Sequence, residues 1–184
     1  MVLSLKSDFI KYRKYSGNKS VFVLLLTQQG LWALTVYRLS NTIYRSSIFK
    51  PVKKLLLGFA VLHQKWIEIV TGISIPYSVT IGRQFYIGHF GGIIINANVV
   101  IGDNCNISQG VTIGVSGRGD TRGVPTLGNN VYIGANAVIA GPITIGDNCV
   151  IAANTLVTKS MDANAVAVGV PGVIINHNGS KNYI

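Results

Sequence analysis

The sequence predicts a mainly β protein, a hexapeptide-repeat solenoid preceded by a short α-helical N-terminal segment. Three observations lead there. Beyond Gly72 an aliphatic residue returns at nearly every sixth position, whereas before it the apolar residues fall three or four apart. The charge divides at the same place. Residues 1–70 hold eleven Lys or Arg against Asp8 and Glu68, a net of +9, and residues 71–184 hold five against four acids, a net of +1. The chain therefore reads as a basic helical segment over 1–70, a solenoid domain over 71–175 with a loop at 114–126, and a tail over 176–184.

At 184 residues, 48% hydrophobic and only 12% charged, the chain has the material for one domain with a core and is not a disordered one. Two cysteines and no signal peptide point to a reducing, cytoplasmic setting without a disulfide framework. The run Val21–Leu26 is far short of the roughly 20 apolar residues that a spanning helix requires.

In the first segment, "GLWALTVYRLSNTIY" sets Leu31, Leu34, Tyr37 or Arg38, and Asn41 at helical spacing. Pro51 suits a first helical position. Leu55, Leu56, Phe59, Leu62, Trp66 and Ile69 then share one broad face, with Lys50, Lys53, Lys54 and Lys65 largely on the other side. Two or three helices joined by short polar turns are expected.

The second segment carries thirteen anchors. Ile75, Ile81 and Ile87 keep one frame, and Ile95, Ile101, Ile107 and Ile113 a second. After the interruption "GVSGRGDTRGVPT", a third frame runs through Leu127, Ile133, Ile139, Ile145, Ile151 and Val157. A small or β-branched residue often follows four positions later, as at Val79, Cys105, Val111, Val131, Ala137, Ile143, Cys149 and Thr155. Such hexapeptides build short strands and sharp turns, three to a triangular coil, with anchor and small residue inward. Thirteen anchors give a little over four coils. The Gly, Asp and Asn between them are the residue types that tolerate left-handed backbone angles. Cys105 and Cys149, in two copies of "IGDNC", are expected as small core residues. His63 and His177 are expected to be structural or solvated.

The stretches "VTIGRQFYIGHFGGIIIN", "VTIG" at 111–114, "PTLGNNVYIGANAVIAGPITIGDN" and "AVAVGVPG" resemble the left-handed parallel β-helix acyltransferases of the hexapeptide class, and within it the serine acetyltransferase branch. The resemblance covers about 105 residues, 71–175. It implies a left-handed coil, acetyl-CoA as co-substrate, no metal, and a homotrimer with active sites in the grooves between subunits. It places His89 at the position of the general base. An alcohol attacks a thioester poorly unless a neutral imidazole removes its proton as the bond forms. No acyl-enzyme is required. By position, the resemblance assigns coenzyme contacts to Thr112, Gly114, Ala135 and Ala153, and a coenzyme phosphate to Lys159, with Arg118 and Arg122 in the nearby loop.

Three departures bear on the acceptor. The serine enzymes have an aspartate where this chain has Ser74, a glutamate where it has Ala97, and a second histidine where it has Val124. Those groups suit a zwitterionic amino acid, whose ammonium seeks a carboxylate. With a helical segment roughly half as long as theirs, the chain resembles more closely the O-acetyltransferases of capsule, exopolysaccharide and colanic-acid synthesis, which implies a saccharide acceptor. Serine is the alternative, and a non-enzymatic trimeric scaffold the third class. A zinc site of the γ-carbonic-anhydrase kind needs three solenoid histidines, and His89 is the only one. The basic, aromatic-bearing front admits peripheral contact with an anionic membrane at its inner face. Nucleic acid is not expected, since the front carries no binding motif and much apolar residue.

Overall fold

The computed structural model describes residues 2–184, with side chains from Ser4 onward. Among the described residues four helices precede the solenoid, where two or three were expected: α1 Val2–Tyr15, α2 Val21–Thr27, α3 Gln29–Arg45 and α4 Lys50–Thr71. The extra break falls at Gln28, whose extended backbone (φ −118°, ψ 91°) separates α2 from α3. Pro51 lies in the first turn of α4, and Gly72 closes that helix in the left-handed region (φ 65°).

The chain then winds into three parallel sheets. One contains β1 (Ile73–Ser74), β4 (Ile93–Ile95), β7 (Thr112–Gly114), β10 (Val138–Ala140) and β13 (Leu156–Val157). A second contains β2 (Thr80–Ile81), β5 (Val100–Ile101), β8 (Thr126–Leu127) and β11 (Thr144–Ile145). The third contains β3 (Tyr86–Ile87), β6 (Asn106–Ile107), β9 (Tyr132–Ile133), β12 (Val150–Ile151) and β14 (Val166–Val168), with β15 (Val173–Asn176) added antiparallel to β14. Consecutive strands visit the three sheets in turn, which is a parallel β-helix. All thirteen anchors, Ile75 through Val157, are buried, none more than 7% exposed. The small residues behind them, including both cysteines, are buried as well. A fifth coil, which the hexapeptide count only began, is completed by Met161, Ala165 and Ala167, all inward. Its second side is reduced to a bridge between Ile145 and Met161.

The corners hold a ladder of asparagines. The side-chain amides of Asn104, Asn130 and Asn148 donate in turn to Asn130, Asn148 and Asn164 over 2.8–3.2 Å. All four have φ between 56° and 65°, so each serves as both turn residue and rung.

The helical front closes the first coil. With no preceding coil to pair with, the backbone of β2 and β3 takes its partners from side chains. The Tyr37 hydroxyl donates to Val79 O (2.9 Å) and accepts from Ile81 N (3.1 Å). The Tyr12 hydroxyl donates to Ile87 O and accepts from Ile87 N, each at 3.1 Å. Arg38 donates to Asp8 (2.8 Å), to Ile81 O (2.7 Å) and to Gly82 O, and Asp8 accepts from Phe85 N (2.9 Å). Two tyrosines and one buried ion pair thus supply what a missing strand would supply.

The broad apolar face read on α4 points outward: Leu55, Phe59, Leu62, Trp66 and Ile69 are 62–79% exposed. A different stripe, with Ala60, Ile67 and Thr71, is the buried one. No helix among the described residues is long and apolar enough to cross a membrane.

Candidate active site

His89 stands on the corner between β3 and β4, exposed to solvent, in a turn fixed on both sides. Before it, Ile87 is held by Tyr12, and Gly88 N donates to Ile107 O (2.9 Å). After it, Gly91 O accepts from Gly110 N (2.9 Å), and Ile93 N donates to Gly72 O (3.0 Å). Gly91 (φ 98°) and Gly92 (φ 66°) make the turn that other residues resist. The first residues of α3 lie directly over β3. A Cβ on Gly30 would sit 2.7 Å from the Tyr12 hydroxyl and 2.8 Å from Ile87 Cβ, so only glycine allows this approach.

A cleft of about 560 Å³ opens beside the imidazole, between the outer face of the third sheet, the α1–α2 link and the start of α3. His89, Tyr15, Lys19, Gln28, Tyr86 and Asn106 are among its walls, and none of the residues lining it is acidic. Ser108, Tyr132 and Tyr183 also line a second hollow of about 580 Å³, which continues past Ala135 and Ala153. The two hollows form one groove down a single corner of the solenoid. The corners are stacked closely, with Asn154 N donating to Ala135 O at 2.8 Å.

The structure thus brings His89, Ala135 and Ala153 to one groove and leaves the other three candidates outside it. Thr112 and Gly114 belong to β7 in the neighbouring sheet, and Lys159 is an exposed residue just past β13, at the far edge of that sheet. Among the described residues, neither hollow is lined by Thr112, Gly114 or Lys159. Arg118 and Arg122 flank the 3₁₀ turn Gly119–Thr121 in the loop, both exposed.

Where the resemblance expects an aspartate, Ser74 donates a 2.9 Å hydrogen bond to Glu68 near the end of α4. Glu68 also accepts from Gln64 (2.9 Å) and Lys65 (2.6 Å). Partial burial raises its pKa, but the Lys65, Gln64 and Ser74 hydrogen bonds outweigh this and hold the carboxyl below the usual range. A carboxylate therefore stands one link beyond position 74, on a different element. Sequence spacing does not reveal it, because the contact closes across a helix end.

Three residues that line the cleft on the third sheet also escaped the sequence reading. Tyr86, Asn106 and Tyr132 are register partners on adjacent strands of the third sheet. Each directly precedes an anchor, in "YIG", "NIS" and "YIG", the outward position of its hexapeptide. The tail, expected only as a polar extension, folds back over this face: Tyr183 packs on Tyr132 with ring centroids 4.9 Å apart. The Cys105 thiol is pushed up to about 11 by burial, which suits a core residue rather than a nucleophile.

A parallel coil of hexapeptides with a histidine and a groove at one corner defines the class of hexapeptide-repeat transferases. Residues 125–159 match the model of the bacterial transferase hexapeptide (six repeats). The serine acetyltransferase of Synechococcus elongatus is 32% identical over 182 residues, 98% of this chain and 71% of that protein. The chain belongs to the serine acetyltransferase family. Among solved structures, the Brucella abortus serine acetyltransferase in complex with coenzyme A superposes with a TM-score of 0.82 at 28% identity, covering 96% of this chain and 68% of that one. The Neisseria gonorrhoeae serine acetyltransferase in complex with serine gives 0.79 at 29% identity, over 94% and 68%.

Proposed function

We propose that this acetyl-CoA-dependent O-acetyltransferase delivers its acetyl group to a sugar hydroxyl of a capsular or exopolysaccharide, or of its precursor, with His89 as general base. The lining of the cleft carries the reading: tyrosines, amides, hydroxyls, His89 and Lys19, and no carboxylate. An amino-acid acceptor brings an ammonium that needs an anionic partner in a partly desolvated site. A sugar hydroxyl needs none.

In this reading the imidazole takes the hydroxyl proton as the oxygen attacks the thioester carbonyl. The tetrahedral intermediate then expels the coenzyme thiolate, which recovers the proton from the imidazolium. No bond to the protein forms. Most of the acceleration comes from holding two substrates in one groove. The coenzyme arm follows the corner over Ala135 and Ala153, where small side chains allow close approach. Thr112, Gly114 and Lys159 meet it from a neighbouring copy in a homotrimer, which would explain why one chain does not gather all six positions. The outer face of α4, with the lysines around it, rests on the inner face of an anionic membrane, in a cytoplasmic setting.

Serine is the second reading, and the comparisons favour it. The family is named for it, and a solved relative holds serine. Against it stand Ser74, Ala97 and Val124, at positions where the resemblance expects acidic and imidazole groups. The deciding experiment follows thiol release from acetyl-CoA with an acidic capsule-type oligosaccharide and with L-serine, for wild type and His89→Ala. Release with the saccharide alone, lost in the variant, supports the proposal. Robust turnover of serine would overturn it.

A further inference from the structure

Asn106 lies in the same cleft as His89 and is 4% exposed. Its amide nitrogen donates to the Tyr15 hydroxyl and to Tyr183 O, each at 3.2 Å. Its Oδ1 has no hydrogen-bond partner, alone among the buried side-chain polar atoms of the described residues. Turning the amide over would set its oxygen against the Tyr183 carbonyl, acceptor against acceptor, so the orientation is fixed by its neighbours. A buried acceptor left unpaired is a net cost to the fold. Such a group, in a cleft beside His89, is a place for a donor that arrives with a ligand.

We propose that Asn106 is the specificity-determining residue for the acceptor: its Oδ1 receives a hydrogen bond from a second hydroxyl of a pyranose ring whose reacting hydroxyl is at His89. This rests on the saccharide reading above. Tyr86 and Tyr132 are its register partners on either side, and Tyr15 and Tyr183 close over it, so the amide sits among aromatic rings. Aromatic faces with polar groups placed between them fix the orientation of a small molecule. A hydroxyl-bearing ring matches that pattern, with its C–H faces on tyrosines and one O–H on the amide.

The test measures steady-state acetylation of the oligosaccharide by the full chain, wild type against Asn106→Ala. The Michaelis constant for saccharide is expected to rise at least tenfold, with that for acetyl-CoA unchanged. Saccharide should raise the melting temperature of wild type and not of the variant. An unchanged saccharide constant in a folded variant, or an equal rise for both substrates, would overturn the subsite and leave the saccharide reading standing. A wild type that acetylates serine and no saccharide would overturn both. If Asn106→Ala does not fold, Asn106→Gln keeps the amide and shifts its oxygen by one methylene, and the same split of constants decides.

Discussion

The solenoid and the helical front bury their residues by different rules. The inner solenoid coils are paired on both sides by copies of themselves, and every anchor from Ile75 to Val157 is enclosed. The front has no repeat to stack on. It joins the first coil through polar side chains that reach backbone groups, and it leaves a long apolar face of α4 uncovered. His89 lies where the two meet, on a turn whose preceding strand is held by a front residue, Tyr12. The solenoid sets the spacing of the groove, and the front sets the local position of the base.

The comparison can be broken at several points. His89→Ala should lower transfer by roughly 10²–10⁴-fold with melting unchanged, since the imidazole is exposed. Loss of the fold in that variant would make His89 structural. Asp8→Ala leaves Arg38 buried without its partner and should cost about 3–5 kcal/mol. The loss should appear as early melting of helical signal while the β signal persists, because the solenoid coils pair among themselves. One cooperative loss of both would show the regions to be a single unit. Tyr12→Phe strips Ile87 N–H and C=O of their partner and should cost about 1–3 kcal/mol. It should also reduce turnover, whereas Tyr37→Phe, acting on β2, should cost similar stability with turnover retained.

The smallest effect concerns Lys11, which donates to Asn104 Oδ1 at 2.7 Å across the junction. Burial lowers its pKa from 10.5 to about 8. Between those values the unfolded chain binds more protons, so stability should rise with pH from about 8 towards 10.5 and level off above. Lys11→Met should flatten that slope in urea titrations across the same range.

The solenoid was legible because its pattern is enforced locally: each inward position must be aliphatic or small, and each corner needs Gly, Asn or Asp. Thirteen anchors announced it, and only the rest of the last coil, where Met161 and Ala167 replace the aliphatic anchors, lay beyond their count. The front was legible as helices but not in its orientation. α4 carries two apolar stripes, and the one with the larger side chains is the exposed one. His89 was identified by its position in a resemblance, and the groove joins it to Ala135 and Ala153. Asn106 and Glu68 were invisible in the sequence, since their roles come from contacts with Tyr15, Tyr183 and Ser74 that no periodicity encodes.

The central claim, that a groove without acidic lining selects a neutral hydroxyl, is tested most directly by competition. Wild-type protein is given limiting acetyl-CoA with L-serine and a capsule-type oligosaccharide together, and both products are weighed by mass spectrometry. The account predicts acetyl on the saccharide and none on serine. Acetyl on serine with the saccharide untouched would contradict it.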